Sequence, residues 1–525
     1  MLRLPLLLAL VFSSVGALAQ TNHTAVKYAE TITVKDLRSR LEIIASDNFE
    51  GRETGQPGQK KAAEYIKERF QEFGFVPIEK LNGYFQPFKL QLTYPDTVSL
   101  VVGGDSLRFL KDMYYFPGFG DMVVKSDELL YLGYGIDSEK YSDYNGVDVK
   151  GKVLLISAGE PVTRKGVSQV TKSKDKSDWT VDWSLKIELA RSKGAKALLV
   201  IDDNLTSSVS QYGRYIKRPN LELGDSPAEQ SGIPLIYISS KKANQFLDAA
   251  NVRGGYEVLE KRISKTGTSI SIKVPQKVEI TVKKRREELI SENVLAYLEG
   301  SEKPDELVVI TAHYDHLGKK GDEIFNGADD DGSGTTTIIE LAEAFMKAKA
   351  DGNGPKRSML FMTVSGEEKG LLGSEYYTDN PVFPLKNTVA NLNVDMIGRI
   401  DEAHAPDSNY VYLIGSDKLS TELHALSEKM NKTYGGLELD YTFNDENDPN
   451  RFYYRSDHYN FAKNNIPVIF YFTGVHEDYH QSTDTVDKIM FTKMEKIARL
   501  VFYTAWEIAN REERLKVDVP QLEGK

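Results

Sequence analysis

Between residues 57 and 73, the run PGQKKAAEYIKERFQEF places Ala62, Ile66, Phe70 and Phe73 on one face of a 3.6-residue period, with Pro57 at its start and Gly74 as its stop. The pattern predicts an amphipathic helix. FKLQLTY and VSLVV follow and read as strands. Near residue 112 the pattern shortens. ELLYLGYGI, GKVLLISAG and IPLIYIS read as short buried strands, and SLKIELARSKGAKALLVIDD reads as a helix, a Gly turn and a strand. With the helical KKANQFLDAA they predict a compact mixed α/β module over 112–287.

From residue 288 the chain alternates. ELVVITAHYD, RSMLFMTVSG, VANLNVD, YVYLIG and IPVIFYFTG read as strands; GTTTIIELAEAFMKAK, EKGLLGSEYY and KMEKIARLVFYTAWEIAN read as helices. Strands that are continuous apolar runs between helices predict an α/β fold: a mixed, mostly parallel sheet with helices on both faces. At 525 residues the chain needs two to four cores.

The first residues change the picture. Met1-Leu2-Arg3, the apolar stretch Leu4 to Val15, and Ala17-Leu18-Ala19 have the layout of a signal peptide over 1–19. A periplasmic or secreted, bacterial location is expected, with no membrane anchor. No cysteine is present, so disulfides contribute nothing to stability. A net charge of −11 argues against nucleic acid as a partner. The one basic cluster, Lys283 to Arg286, runs into Glu287 and Glu288 and reads as a solvated linker.

Chemistry gathers at predicted strand ends, where α/β sheets place ligands. His313 and Asp315 end one strand, Glu367 and Glu368 another, and Asp395 a third. Asp330 lies in the loop NGADDDGSG that opens a helix, and His480 follows the last strand. An Asp before Gly-Ser is more often a helix cap, the reading adopted for Asp329 and Asp331. Capping does not explain coincidence at successive strand ends. Imidazole and carboxylate without thiolate suit zinc, with manganese or cobalt as substitutes. Two His, two Asp and one Glu exceed one tetrahedral site and suit two metals sharing a carboxylate.

The ordered segments HYDHLG, NGADDDGSG, SGEEKGLLGS, NVDMIG, SDHYNF and YHQSTDT resemble the zinc-dependent exopeptidases that include secreted bacterial aminopeptidases and glutamate carboxypeptidase II. EGRETGQPGQKKAAEYI is similar to that family's opening helix, and YSDYNGVDVKGKVLLI with ARSKGAKALLVIDD resembles the protease-associated domain some members insert. The resemblance implies a peptidase domain in two segments, 24–111 and 288–515, interrupted by a protease-associated domain at 112–287.

It also implies roles. His313 and Asp395 would hold one zinc, Glu368 and His480 the other, and Asp330 would bridge them. Glu367 would be the general base, Asp315 would orient His313 through its second ring nitrogen, and Tyr479 would stabilise the oxyanion. Asp457 and His458 would support the site; His316 and the remaining histidines receive no role.

The implied activity is removal of N-terminal residues from peptides. A carboxypeptidase or dipeptidase, for which Arg451 and Arg455 could bind a carboxylate, is the nearest alternative. A glutaminyl cyclase or a receptor-like protein without catalysis lies further off. The acidic stretch LDYTFNDENDPN lacks EF-hand spacing, so calcium is not expected. The inserted module could cover the cleft, restrict access or form a homodimer.

Overall fold

The computed structural model describes residues 21–116, 120–224, 232–405 and 407–520, so the signal peptide expected over 1–19 lies outside the described residues. The chain divides into two compact units, residues 1–90 with 289–525, and residues 91–288.

In the first unit, helix α1 (Pro57–Glu72) forms as its periodicity predicts, burying Ala62, Ala63, Ile66 and Phe70. Phe73 is its C-cap and stays half-buried. The sheet includes β1 (Val278–Leu298, by its C-terminal end), β2 (Lys303–His313), β3 (Arg357–Val364), β4 (Thr388–Val394), β5 (Tyr410–Ile414), β6 (Glu438–Asp440) and β7 (Val468–Phe472), and continues past β1 into the strand Phe85–Val102. Their order is β6-β5-β7-β4-β2-β3-β1. β2 is parallel to both β3 and β4, β4 to β7, and β5 to β6; β1–β3 and β5–β7 are antiparallel.

Every residue of β3 and β4 is buried, as strands covered on both faces require. Alternate side chains serve two cores. Val308, Ile310, Met359 and Phe361 pack with the buried helices α2 (Gly332–Ala350) and α3 (Phe491–Asn510). Leu307, Val309, Leu360 and Met362 pack on the opposite face with Tyr377 and Phe461. The end of α3 is closed by a fully buried strand residue: Arg357 donates to the main-chain carbonyl of Ile508 at 3.0 Å, an acceptor the helix leaves free, and to that of Glu512, just beyond the helix, at 3.1 Å.

The second unit has its own six-stranded sheet. Leu129–Leu132, Val153–Ser157, Ala197–Asp202 and Leu235–Ser239 run parallel at its centre. It begins at Gln91, earlier than the expected residue 112. FKLQLTY and VSLVV are parts of one long strand, Phe85–Val102, and its last residues Leu100 and Val102 enter the second unit's core with Leu107. The change in sequence texture near 112 therefore falls inside the module.

Candidate metal centre

β2 is the point at which strand order reverses: β3 lies on one side of it and β4 on the other. A crevice forms beyond the carboxyl ends at such a point. Register fixes what stands there. His313 pairs with Val364, two residues short of Gly366-Glu367, and Thr311 pairs with Asn393, which brings Asp395 level with His313. The segment expected to be helical from Glu368 starts instead with a 3-10 turn, Glu367–Lys369, and the helix begins at Leu372. Gly366, at φ 81°, makes the sharp exit from the strand that a side chain would strain.

The structure brings His313, Asp330, Glu367, Glu368, Asp395 and His480 together. Nε2 of His313 lies 3.2 Å from Oδ1 of Asp330, 3.7 Å from Oδ1 of Asp395 and 3.9 Å from Oε2 of Glu367. Nε2 of His480 lies 3.1 Å from Oδ2 of Asp330 and 3.2 Å from Oε2 of Glu368. Asp330 thus turns one oxygen to each imidazole. Tyr479 stacks on His480 with ring centroids 3.9 Å apart and lines the same pocket as His313, Glu367 and Asp395.

Two assignments change. Nδ1 of His313 meets the main-chain carbonyl of Asp315 at 3.0 Å, whereas the Asp315 carboxylate is 3.8 Å away. That carboxylate accepts from Thr54 Oγ1 at 2.6 Å and from the amide of Glu367 at 3.3 Å, so it ties the turn carrying Glu367 to the strand end. Asp331 is the cap expected: it accepts from Gly334 N at 2.8 Å, and also from the amides of His313 and Met396. Asp329 is more than a loop residue, accepting from Gly398 N at 2.6 Å and facing Nε2 of the buried His476 at 3.3 Å.

Several supports were not foreseen. Arg52 is fully buried and donates to four carbonyls: Tyr314 at 2.8 Å, Ile44 at 3.0 Å, Asn326 at 2.6 Å and Gly327 at 2.9 Å. It clamps the end of β2 to the loop carrying Asp330. Ser456 donates to Oδ2 of Asp395 at 2.7 Å and accepts from Asn393, which accepts from Thr311, which in turn accepts from Asn391. The signal was present in the sequence: Thr311, Asn391 and Asn393 are polar positions in apolar strands. His316, to which no role was given, is fully buried with Nδ1 2.8 Å from Oε1 of Glu368.

Electrostatics follow the crowding. Burial pushes the His313 imidazole down, but Glu367, Asp395 and Asp330 outweigh it and hold it well above its ordinary value. Burial lifts the Glu367 carboxyl well above the carboxylate range, with Glu368 and Asp395 adding to the lift against His313. Burial and Asp330 act to raise Glu368, yet the imidazoles of His316 and His480 facing it bring it to about 2. His480, pushed down by burial, is raised to about 10 by Asp330 and Glu368.

The residues fit metal ions. Donor atoms of His313, Asp330 and Asp395 lie within 4.8 Å of one another, as do those of His316, Asp330 and Glu368. Oδ2 of Asp330 and Oε1 of Glu368 are buried and have no hydrogen-bond partner among the described residues. Buried polar atoms left so are costly unless a cation satisfies them.

Residues 293–505 match the model of peptidase family M28, and residues 119–246 match that of the PA domain. The aminopeptidase YwaD of Bacillus subtilis is 23% identical over 393 residues, covering 72% of this chain and 67% of the relative. A probable leucine aminopeptidase of Trichophyton verrucosum is 30% identical over 215 residues, and the match spans 39% of this chain and 55% of the relative. The structure of an aminopeptidase from Aneurinibacillus sp. strain AM-1 shares the fold, with a TM-score of 0.53 and 20% identity over 95% of this chain and 100% of that one. The ordered motifs, the strand-end geometry and the two family matches agree: residues 293–505 form a domain of the peptidase family M28 type and residues 119–246 a PA domain.

Proposed function

We propose that this chain is an exported two-zinc aminopeptidase. One observation carries the reading: the two oxygens of Asp330 face two different imidazoles, His313 at 3.2 Å and His480 at 3.1 Å, beside Glu367. His313, Asp330 and Asp395 would hold one zinc; Asp330, Glu368 and His480 would hold the other. When bound, zinc supplies a Lewis acid that polarises a carbonyl and eases the ionisation of water.

The chain's own groups do the rest. Glu367 takes the proton from the attacking water and returns it to the leaving amine. Tyr479 donates to the carbonyl oxygen as negative charge develops there. Met396, Phe452, Phe470 and Phe472 line the pocket and exclude water around the substrate's terminal side chain. The carboxylates around the centre favour a substrate's ammonium group.

The test is a panel of free, N-blocked and C-blocked peptides, with and without a chelator. Cleavage that requires a free amino terminus, stops on chelation and returns with zinc is the expected result. Cleavage indifferent to N-terminal blocking overturns the reading. A carboxypeptidase or dipeptidase is the second reading, supported by Arg455, which lines the pocket and donates to Tyr479 Oη at 3.5 Å. A requirement for a free carboxyl terminus would favour it. Arg451 lines a different cavity.

Export to the periplasm or medium completes the reading. No helix among the described residues is long and apolar enough to cross a membrane. Amino-terminal sequencing of the natively produced protein should begin at Gln20; a start at Met1 would remove export from the proposal.

A further inference from the structure

The geometry points to His316 as a direct ligand of the metal held by Asp330 and Glu368, so that two imidazoles serve that position and one serves the other. The assignment rests on the two-metal reading above and goes beyond its ligand set. His316 is fully buried, and neither ring nitrogen has a hydrogen-bond partner among the described residues. A neutral imidazole carries one donor and one acceptor, so burying both unsatisfied is unfavourable unless something else engages the ring.

What faces it is specific. Nδ1 lies 2.8 Å from Oε1 of Glu368 and 3.7 Å from Oδ2 of Asp330, and those two oxygens are themselves without hydrogen-bond partners among the described residues. Nitrogen and oxygen this close, outside hydrogen-bond alignment, suit donors converging on a shared cation. His480 reaches the same two carboxylates from the rim, with its side chain 36% exposed, whereas His316 approaches from the interior. The rings are 5.9 Å apart between centroids.

The chain also seats the ring. The amide of His316 donates to Arg52 O at 3.1 Å. A Cβ on Gly327, at φ 53°, would come within 2.5 Å of Cδ2 of His316, so only glycine leaves room for the imidazole. A side chain wedged this tightly is preorganised, which a buried ligand needs. With a second imidazole, the Glu368 position has the more nitrogen-rich donor set and should keep zinc longer than the His313 position.

Zinc K-edge X-ray absorption on the wild-type protein loaded with two zinc ions tests this directly. The scattering pattern of imidazole should report three rings shared by the two metals. The companion measurement is the zinc content and affinity of His316→Ala. Its Kd at one of two sites should weaken by at least about 100-fold, the upper limit for loss of an outer hydrogen-bond partner, while the other site keeps its zinc. Two rings per two metals, or a variant that holds both ions within about threefold of wild type, overturns the assignment and leaves the aminopeptidase reading standing. A wild-type protein that binds no zinc overturns both. If the variant does not fold, the absorption measurement on the wild type still decides.

Discussion

The carboxylate of Asp484 accepts the main-chain amides of both Asp329 and Asp330, at 3.0–3.1 Å, across 154 residues of sequence. A segment after the last strand therefore sets the loop that presents the shared carboxylate. Asp484→Asn replaces one accepting oxygen with a donor that opposes those amides. The fold should persist, and zinc affinity should fall about 10- to 100-fold, as when an outer support is lost. Competition with a chromophoric chelator measures it; unchanged affinity would remove Asp484 from the support of the site.

Glu367 has a different signature. Its oxygen lies 3.9 Å from Nε2 of His313, beyond the 3.1–3.2 Å contacts that Asp330 makes with both imidazoles. Glu367→Gln should keep its metal content and lose about 10²- to 10⁴-fold in kcat. Elemental analysis beside steady-state kinetics separates the two quantities. Loss of metal together with activity would make Glu367 a ligand.

Arg52 is a matter of stability before chemistry. Arg52→Met removes all its donors and leaves the carbonyls of Ile44, Tyr314, Asn326 and Gly327 buried without them. Each orphaned acceptor costs about 1–3 kcal/mol, and partial relaxation should leave a net loss of roughly 3 kcal/mol or more. Urea unfolding of the variant against wild type reads it. Arg52→Lys should recover only part, since an ammonium cannot span four acceptors in a plane.

Metal uptake should depend on pH with a definite sign. His480 stands at about 10 in the metal-free protein, so at neutral pH it carries a proton that must leave before the nitrogen can bind. Apparent zinc affinity should therefore rise with pH, by about tenfold per unit for each such imidazole, and level off above its titration. Calorimetry in buffers of different ionisation enthalpy should detect proton release on binding near pH 7. Binding without proton release would contradict the raised value.

Much of the peptidase unit is legible along the chain because its signals are local. The helix at 57–72 announces itself by period and by Pro57, and β3 and β4 by continuous apolar runs. The start of the inserted unit was not legible, because Phe85–Val102 is one strand whose end joins a core built much later in sequence. The turn at Glu367 was missed because Gly366 and Gly370 outweigh the helical pattern of the residues around them.

The sequence by itself determined which chemistry-bearing residues stand at strand ends, since side-chain periodicity and the rule for parallel sheets act within a few residues. Only the tertiary structure decided which atoms meet. It turned His313 toward the main-chain carbonyl of Asp315, gave the Asp315 carboxylate to Thr54 and Glu367, and buried His316 beside Glu368. Those contacts depend on strand register and on clamps such as Arg52 and Asp484, which join segments 262 and 154 residues apart and leave no periodic trace in any one of them.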